Sequence, residues 1–520
     1  MISKWSLLNI NVDSYDALFI DCFDTLFHRE VFQPTDVFSF CYSDPIKRIS
    51  SEDEARKLSF INSGSIEICI RDIIPNYKKE LQAEKELGFL SPSIVGLIKL
   101  FNDAGKPVVV ISDTYLTSRD LKFLLGDLKL EIFVSCELGV GKGKGLFDVV
   151  IEKLNLRGKR LIHIGDNVEA DIKGAKASGI PAMRYEGYQD AALDVLSSLR
   201  ETSLQEFHRV PRLEIKKYLL DIKFTSDLEL FGYALLGPIV SHFLQSIEKQ
   251  AKGQKVTFFG RDTKLIHDIY QGPKQYISIN REIAWQCSFY KKQDIIDYLV
   301  FSMNLLPEDR INHLLHDLSD FDYTYSHDLI GWALNNVEEI IRRSAIKRKS
   351  LKKHLELFDL KNLFAIDLGY SGTINKRLNI ILREEYKIFK APDALFLLSH
   401  PSCNTKSIFK VRDDLTYKLL SNVSILETCI KDCIGPLKNY DAGGAPIHAD
   451  YEWDNVQREM LNSVRSGIII FYNTVGPKKF AEAELYLTQF LLHIPNSFAL
   501  IRAELGLGSK IYSQLKVSGV

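Results

Sequence analysis

Acidic, hydroxyl and basic residues standing just beyond short apolar runs could together move a phosphoryl group. The run "ALFI" (17–20) ends in Asp21, with Asp24 and the Thr25 hydroxyl close behind. "VVVI" (108–111) is followed by Ser112 and Asp113. "IFV" (132–134) leads into "GVGKGKG", with Lys142 and Lys144, and "LIHI" (161–164) into "GDNVEAD", with Asp166 and Asp171. A carboxylate can attack phosphorus and form an acyl-phosphate, splitting one hard displacement into two easier ones. A hydroxyl and an ammonium can hold the phosphoryl oxygens on which charge develops. Two or three carboxylates can hold Mg²⁺, which suppresses repulsion between nucleophile and phosphate. Taken singly, each residue has a plain structural explanation. An Asp after a strand is commonly a turn or cap residue, and "GVGKGKG" lacks the Gly-Lys-Ser/Thr ending of a nucleotide loop. Their weight comes from their order and their repeated placement at strand ends.

Such groups converge only if a frame brings them together. With "AMRY" (182–185), the apolar runs alternate with helix-period stretches such as "SIVGLIKLFNDAG" and "GLFDVVIEKLN". Runs buried on both faces, alternating with helices, predict a doubly wound parallel α/β sheet. Its reactive groups would gather beyond the carboxyl ends of the strands. Residues 28–95 interrupt the rhythm with helical patterns ("SEDEARKLSFI", "KKELQAEKELGF") and read as an insertion after the first strand. The 520 residues are too many for one core. The expected organisation is a first domain over 1–200, a helical connector over 201–226 and a second α/β domain over 227–520. The last opens with "LFGYALLGPIVSHFLQSIEKQ" and carries the strands "VTFF", "YISI", "LFAIDLG" and "ALFLLS".

The second half repeats the pattern of charged groups at strand ends. Arg261 and Asp262 follow "VTFF", Arg281 follows "YISIN", and "LFAIDLGYSGTINKRL" supplies Asp367, then Ser371 and Thr373 before a helix. That last element could cradle an anion at a helix N-terminus. A second ligand site is therefore expected at Arg261, Asp262, Arg281, Asp367, Ser371 and Thr373. The bland alternative is a tight turn with structural ion pairs.

Bulk properties exclude other classes. Lys and Arg total 66 against 67 for Asp and Glu, so no net charge points to nucleic acid or an acidic membrane. The eight Cys are scattered, unlike a secreted disulfide scaffold. Cys429 and Cys433 stand four apart without a second pair or His to complete a zinc site. No secretory leader pattern opens the chain, and no apolar run approaches a membrane span in length. The expected setting is a reducing cytoplasm.

Residues 15–190 resemble the haloacid dehalogenase superfamily. The resemblance rests on Asp21 with Thr25, "VVVISDT" through Ser112, Lys142 in "GVGKGKGLF" and "HIGDNVEADIKGAKASGI". It implies a helical C1-type cap in the insertion, Asp21 as nucleophile, and Ser112 and Lys142 orienting the phosphoryl group. It implies Mg²⁺ on Asp21, Asp166 and the backbone carbonyl at Phe23, with Asp171 as a further ligand or as the group that orients Lys142. Phosphatases of the superfamily carry Asp as proton donor where this chain has Phe23, and Gly where it has Asp24. Asp24 or His28 could supply the proton instead. "IDCFDTL", "EAR", "ISDTYL" and "FGYALLGP" resemble a bacterial branch of two-domain hydrolases associated with surface polysaccharide and glycosyltransferase functions. The implied activity is phosphoryl transfer from a phosphorylated sugar, polyol or sugar nucleotide, alongside polysaccharide-pathway or glycosyltransferase partners. Phe23 also leaves room for a catalytically degenerate module that binds a phosphorylated ligand or partner. Metal-free dehalogenation, where an aromatic residue at this place is familiar, is opposed by "GDN" with Asp166.

Overall fold

The computed structural model describes residues 10–185, 212–218, 224–302, 329–400, 405–410, 423–432, 434–450 and 455–480, with isolated positions between them. Most of the expected 201–226 connector, and Cys433, lie outside the described residues. The chain divides into two compact units, Met1–Asp227 and Leu228–Val520.

The first unit is built on β1 (Ala17–Ile20), a ribbon of β2 (Phe27–Arg29) and β3 (Gly88–Leu90), then β4 (Val108–Ser112), β5 (Glu131–Val134), β6 (Leu161–Gly165) and β7 (Ala182–Arg184). The main sheet is parallel with order β5-β4-β1-β6-β7. Successive residues of one strand enter opposite cores. Leu18 and Ile20 pack with the helix Pro92–Asp103 through Leu97, Ile98 and Phe101. Ala17 and Phe19 pack with Leu146, Phe147 and Val150 of the helix Leu146–Lys153. Both faces are covered, which is why these strands read as unbroken apolar runs.

The ribbon pairs antiparallel, with His28 opposite Phe89. The chain between its strands forms helices, the longest being Pro45–Ser63. A buried ion pair ties that helix to Lys78–Leu87: Arg48 Nε lies 2.7 Å from Glu80 Oε2. Residues 212–218 dock on the ribbon, where Arg212 and Lys217 pair with Glu30 and Lys216 Nζ donates to the Val31 carbonyl.

The second unit holds a second parallel sheet, of β8 (Val256–Phe259), β9 (Lys274–Ile277), β10 (Phe364–Tyr370), β11 (Asp393–Ser399) and β12 (Lys406–Lys410), in the order β12-β11-β10-β8-β9. The run "YISI" is displaced from the observed β9, which starts two residues earlier at Lys274. The polar Lys274 and Gln275 pair with Val256 and Thr257.

The opening apolar segment forms a continuous helical stretch, Leu228–Ala251, of 24 residues, whose most apolar 18 residues have a mean hydropathy of 1.3. By length and composition it matches a membrane span, contrary to the reading of the sequence. In the structure 83% of its most apolar stretch is buried inside the unit, much of it against the helix Asn455–Val475. The two backbones touch at glycines: a Cβ on Gly232 would lie 1.9 Å from the Val464 carbonyl oxygen, and one on Gly467 1.9 Å from that of Glu229.

Gly467→Ala therefore tests this packing by the sign of its effect. In an exposed helix the change would stabilise by about 1 kcal/mol. Here overpacking should instead destabilise the second unit by about 1–3 kcal/mol, read as a lower urea midpoint. A raised midpoint would mean that the two helices do not meet at Gly467.

Candidate active site

Asp21, Lys142, Asp166 and Asp171 meet at the carboxyl edge of the first sheet, where strand order reverses between β1 and β6. The Asp21 N–H donates to the Ile164 carbonyl (2.8 Å), so the nucleophile candidate is fixed to the end of the neighbouring strand. Lys142 is buried, and its ammonium donates to both Asp21 Oδ1 and Asp171 Oδ1, the latter at 2.5 Å. Its own backbone N–H donates to Asp113 Oδ1 (2.9 Å), which sets the start of the lysine turn against the end of β4. Ser112 closes β4 and is 1% exposed.

Asp171 is held from three sides. Oδ1 accepts from Lys142 and from His163 Nε2 (2.9 Å), and Oδ2 accepts from the Asn167 N–H (3.0 Å). Asn167 caps the following turn by accepting from the N–H groups of Glu169 and Ala170. Glycine is required at 165, because a Cβ there would sit 2.2 Å from Asp171 Cγ. His163 lies in β6 and is fully buried. Burial lowers its pKa, so it is a neutral donor that orients Asp171. The sequence reading passed over it, because it sits within an apolar run.

The electrostatics fit a divalent cation. Burial, opposed by Lys142 and reinforced by Asp171 and Asp166, pushes Asp21 up to about 8. Burial and the charges of Asp24 and Asp171 push Asp166 up to about 6. Against the same penalty of burial, the bonds from His163 and Lys142 hold Asp171 at about 2. One ammonium thus faces more carboxylate than it can balance. Carboxylate oxygens of Asp21, Asp166 and Asp171 lie within 4.8 Å of one another. Asp21, Asp166 and Asp171 together could hold a divalent cation, and Asp171, whose two oxygens both accept hydrogen bonds within the protein, is also placed to orient Lys142.

Thr25 is buried; among the described residues its hydroxyl has no partner, and its carbonyl is bonded to His28 Nε2 (3.0 Å). His28 is itself fully buried, with its ring near those of Phe89 and Tyr185. Asp24 occupies a left-handed conformation (φ 57°) that favours glycine. Above Phe23 the structure places a group that the sequence did not reveal. The Arg29 guanidinium lies 4.2 Å from the Phe23 ring centroid, bonded to Glu84 through Nε (2.7 Å) and Nη2 (3.2 Å) and 4.0 Å from Asp24. A cation, not an acid, stands over position 23.

The six residues expected in the second half also come together. Arg261, Asp262, Arg281, Asp367, Ser371 and Thr373 all line one cavity, which Trp285, Glu427 and Lys431 share.

With this geometry in place, comparison with known proteins places the first unit. Residues 15–179 match the family model described as haloacid dehalogenase-like hydrolase. Residues 15–179 are thus similar to this family and have the parallel-sheet α/β fold of a HAD-like domain, which a second parallel α/β domain follows. No curated protein matches the sequence. Similar solved structures include the 2-haloacid dehalogenase from Pseudomonas syringae pv. Tomato DC3000, at 16% identity and TM-score 0.27 over 33% of this chain and 86% of that one. A HAD phosphatase from Thermococcus onnurineus matches at 16% identity and TM-score 0.26 over the same shares. Likenesses this weak carry no weight for function.

Lys142→Met tests the ammonium bridge. It leaves two buried carboxylates without their shared cation and should cost about 3–5 kcal/mol, read from the urea midpoint in EDTA. A cost below about 1 kcal/mol, the level of an exposed pair, would show that Lys142 does not bridge Asp21 and Asp171 in solution.

Proposed function

We propose that the first unit is a Mg²⁺-dependent phosphohydrolase or phosphotransferase that works through an aspartyl-phosphate at Asp21. Its substrate in this reading is a phosphorylated sugar, polyol or sugar nucleotide. The observation that carries the proposal is the buried Lys142 ammonium shared by Asp21 and Asp171, with Asp166 beside them. A purely structural ion pair has no need of the third carboxylate. A role in polysaccharide biosynthesis, with pathway glycosyltransferases as partners, is the part that rests on resemblance alone.

In this mechanism one Asp21 carboxylate oxygen attacks phosphorus while the bond to the leaving oxygen breaks, and the leaving group departs with the electron pair. Lys142 opposes the effect of burial on the attacking carboxylate, favouring its ionised form, and aligns it. Lys142 and Ser112 hold the non-bridging oxygens. Held by Asp21, Asp166 and the carbonyl of Phe23, Mg²⁺ would neutralise the excess carboxylate charge and shield nucleophile from phosphate. Water, or an acceptor hydroxyl, then attacks the phosphorus. The bond to Asp21 breaks, the carboxylate is regenerated, and the proton of the attacking group passes to an oxygen of the released phosphate product or to water.

Phe23 has no proton to give, and the cation stacked on it gives none at neutral pH. The leaving group must therefore depart with little help. An anomeric oxygen, a phosphate or a phenolate can do so, whereas a simple alkoxide cannot. The loss of a positioned acid costs roughly 10²–10⁴-fold, and it should fall on poor leaving groups. Turnover of p-nitrophenyl phosphate should exceed that of glycerol phosphate by about this factor, and equal rates would show that another residue donates the proton.

Asp21→Asn should abolish turnover in a protein that melts as the wild type does, and near wild-type activity would remove the covalent mechanism. Mg²⁺ should raise the melting temperature of the wild type, as any ligand of the native state does, and Asp166→Asn should remove that shift. The second reading, a degenerate binding module, is favoured by Phe23 and its Arg29 cover. A Mg²⁺-dependent melting shift without turnover of any aryl phosphate would establish it over the first.

A further inference from the structure

Beyond the carboxyl ends of β8, β9 and β10 the second unit encloses a cavity of about 570 Å³. Its volume lies within the usual range for small-molecule sites. The strand order β9-β8-β10-β11-β12 reverses between β8 and β10. At such a reversal the connections leave to opposite faces and open a crevice.

One wall is suited to an anion. β10 turns through Gly369 (φ 113°) and Gly372 (φ 68°) into the 14-residue helix Thr373–Tyr386. A Cβ on Gly369 would lie 2.2 Å from the Leu398 carbonyl oxygen, so the path of this turn needs glycine. The turn presents the hydroxyls of Ser371 and Thr373, 2.9 Å apart, at the start of the helix, where first-turn N–H groups have no partner within a helix. Arg281 stands exposed at the rim. Among the described residues its guanidinium makes no hydrogen bond or ion pair.

Another wall is suited to hydroxyl groups. Asp367 is 8% exposed and Glu427 partly buried. Burial and the nearby Asp262 push their carboxyls up to about 8 and about 7. Carboxyls poised near neutrality can both donate to and accept from a hydroxyl.

A further observation points to a ligand independently of these walls. Trp285 lines the cavity and is 3% exposed, and among the described residues its indole N–H has no partner. Its ring is held by the Arg377 guanidinium, 3.5 Å from the centroid. A buried donor left unpaired costs about 1–3 kcal/mol, which a ligand oxygen would recover.

We infer that this cavity binds a phosphorylated sugar, with phosphate on the Ser371–Thr373 turn and Arg281, and sugar oxygens on Asp367, Glu427 and the Trp285 indole. The site is separate from the Asp21 centre and does not depend on its chemistry.

The test is hydrogen–deuterium exchange on the full chain in EDTA, with α-D-glucose 1-phosphate, inorganic phosphate and D-glucose as probes. Glucose 1-phosphate should slow exchange across residues 371–376, at concentrations about tenfold below inorganic phosphate, and glucose alone should not. Arg281→Ala, at an exposed site, should raise the concentration needed by about 10–100-fold, the worth of a charge-assisted hydrogen bond. Trp285→Phe, which keeps a ring but removes the N–H, should raise it about 5–10-fold, the worth of an ordinary one. Asp21→Asn should leave this protection unchanged, which separates the outcome from any failure of the mechanism proposed for the first unit. Protection confined to the loops around Ser112 and Lys142, or unaffected by Arg281→Ala, would overturn the site. Protection equal for phosphate and glucose 1-phosphate would overturn its assignment to a sugar.

Discussion

The first unit is organised around one buried ammonium. Lys142 has little water around it, and desolvating an ammonium costs several kcal/mol unless carboxylates and hydrogen bonds offset it. Asp21 and Asp171 provide that offset, and much of the local backbone serves their placement. Asp21 is fixed to the end of β6 through the Ile164 carbonyl, and Asp171 is pinned by His163 and the Asn167 N–H. Lys142 itself is oriented by Asp113. Gly165 makes room for Asp171, and Gly174 lets its helix approach the Lys142 carbonyl, which a Cβ would meet at 2.9 Å. A chain that needed only a stable sheet could dispense with all of this at little cost, since replacing buried ion pairs by apolar groups is often neutral or stabilising.

What was legible in the sequence follows from the physics of burial. Strands covered on both faces leave continuous apolar runs, so the first sheet and the residues just past its strands could be read directly. The ribbon could not. Phe27–Arg29 and Gly88–Leu90 are three residues each and lie some sixty positions apart, and strands that short carry no readable alternation. Arg29 was missed with it, since its place over Phe23 depends on that pairing. His163 was hidden because a strand run says nothing about which member carries a polar bond inward. β9 slipped by two residues because Lys274 and Gln275 begin an edge strand, where polar side chains are tolerated. Glu427 and Lys431 come from or just beyond the helix Val423–Ile430, and no local pattern ties them to a strand end.

The two sheets differ in order but share a rule. In the first unit the order β5-β4-β1-β6-β7 reverses between β1 and β6, and Asp21 and Asp166 stand on either side. In the second the reversal falls between β8 and β10, with Asp262 on one side and Asp367 on the other. A reversal is where adjacent loops diverge, so it is the one place on a parallel edge where side chains can surround something from two directions. Charged residues at both points are what such a crevice needs to hold an ionic ligand.

The crevices are filled differently, and the contrast bears on what each can do. At the first, the lysine is inserted between carboxylates, so the ammonium and the Asp21 carboxylate are already in contact and few degrees of freedom remain to be frozen. Electrostatic stabilisation of a transition state requires this kind of preorganisation, because charges that must reorient during reaction stabilise it less. At the second, the charged groups are spread around about 570 Å³ of space, and among the described residues the Trp285 N–H and the Arg281 guanidinium have no hydrogen-bond partner, while burial raises the Asp367 and Glu427 carboxyls. Groups left short of partners favour a molecule that brings its own hydrogen-bonding atoms. The same edge geometry thus supports chemistry where the protein's charges satisfy one another, and recognition where they await a ligand.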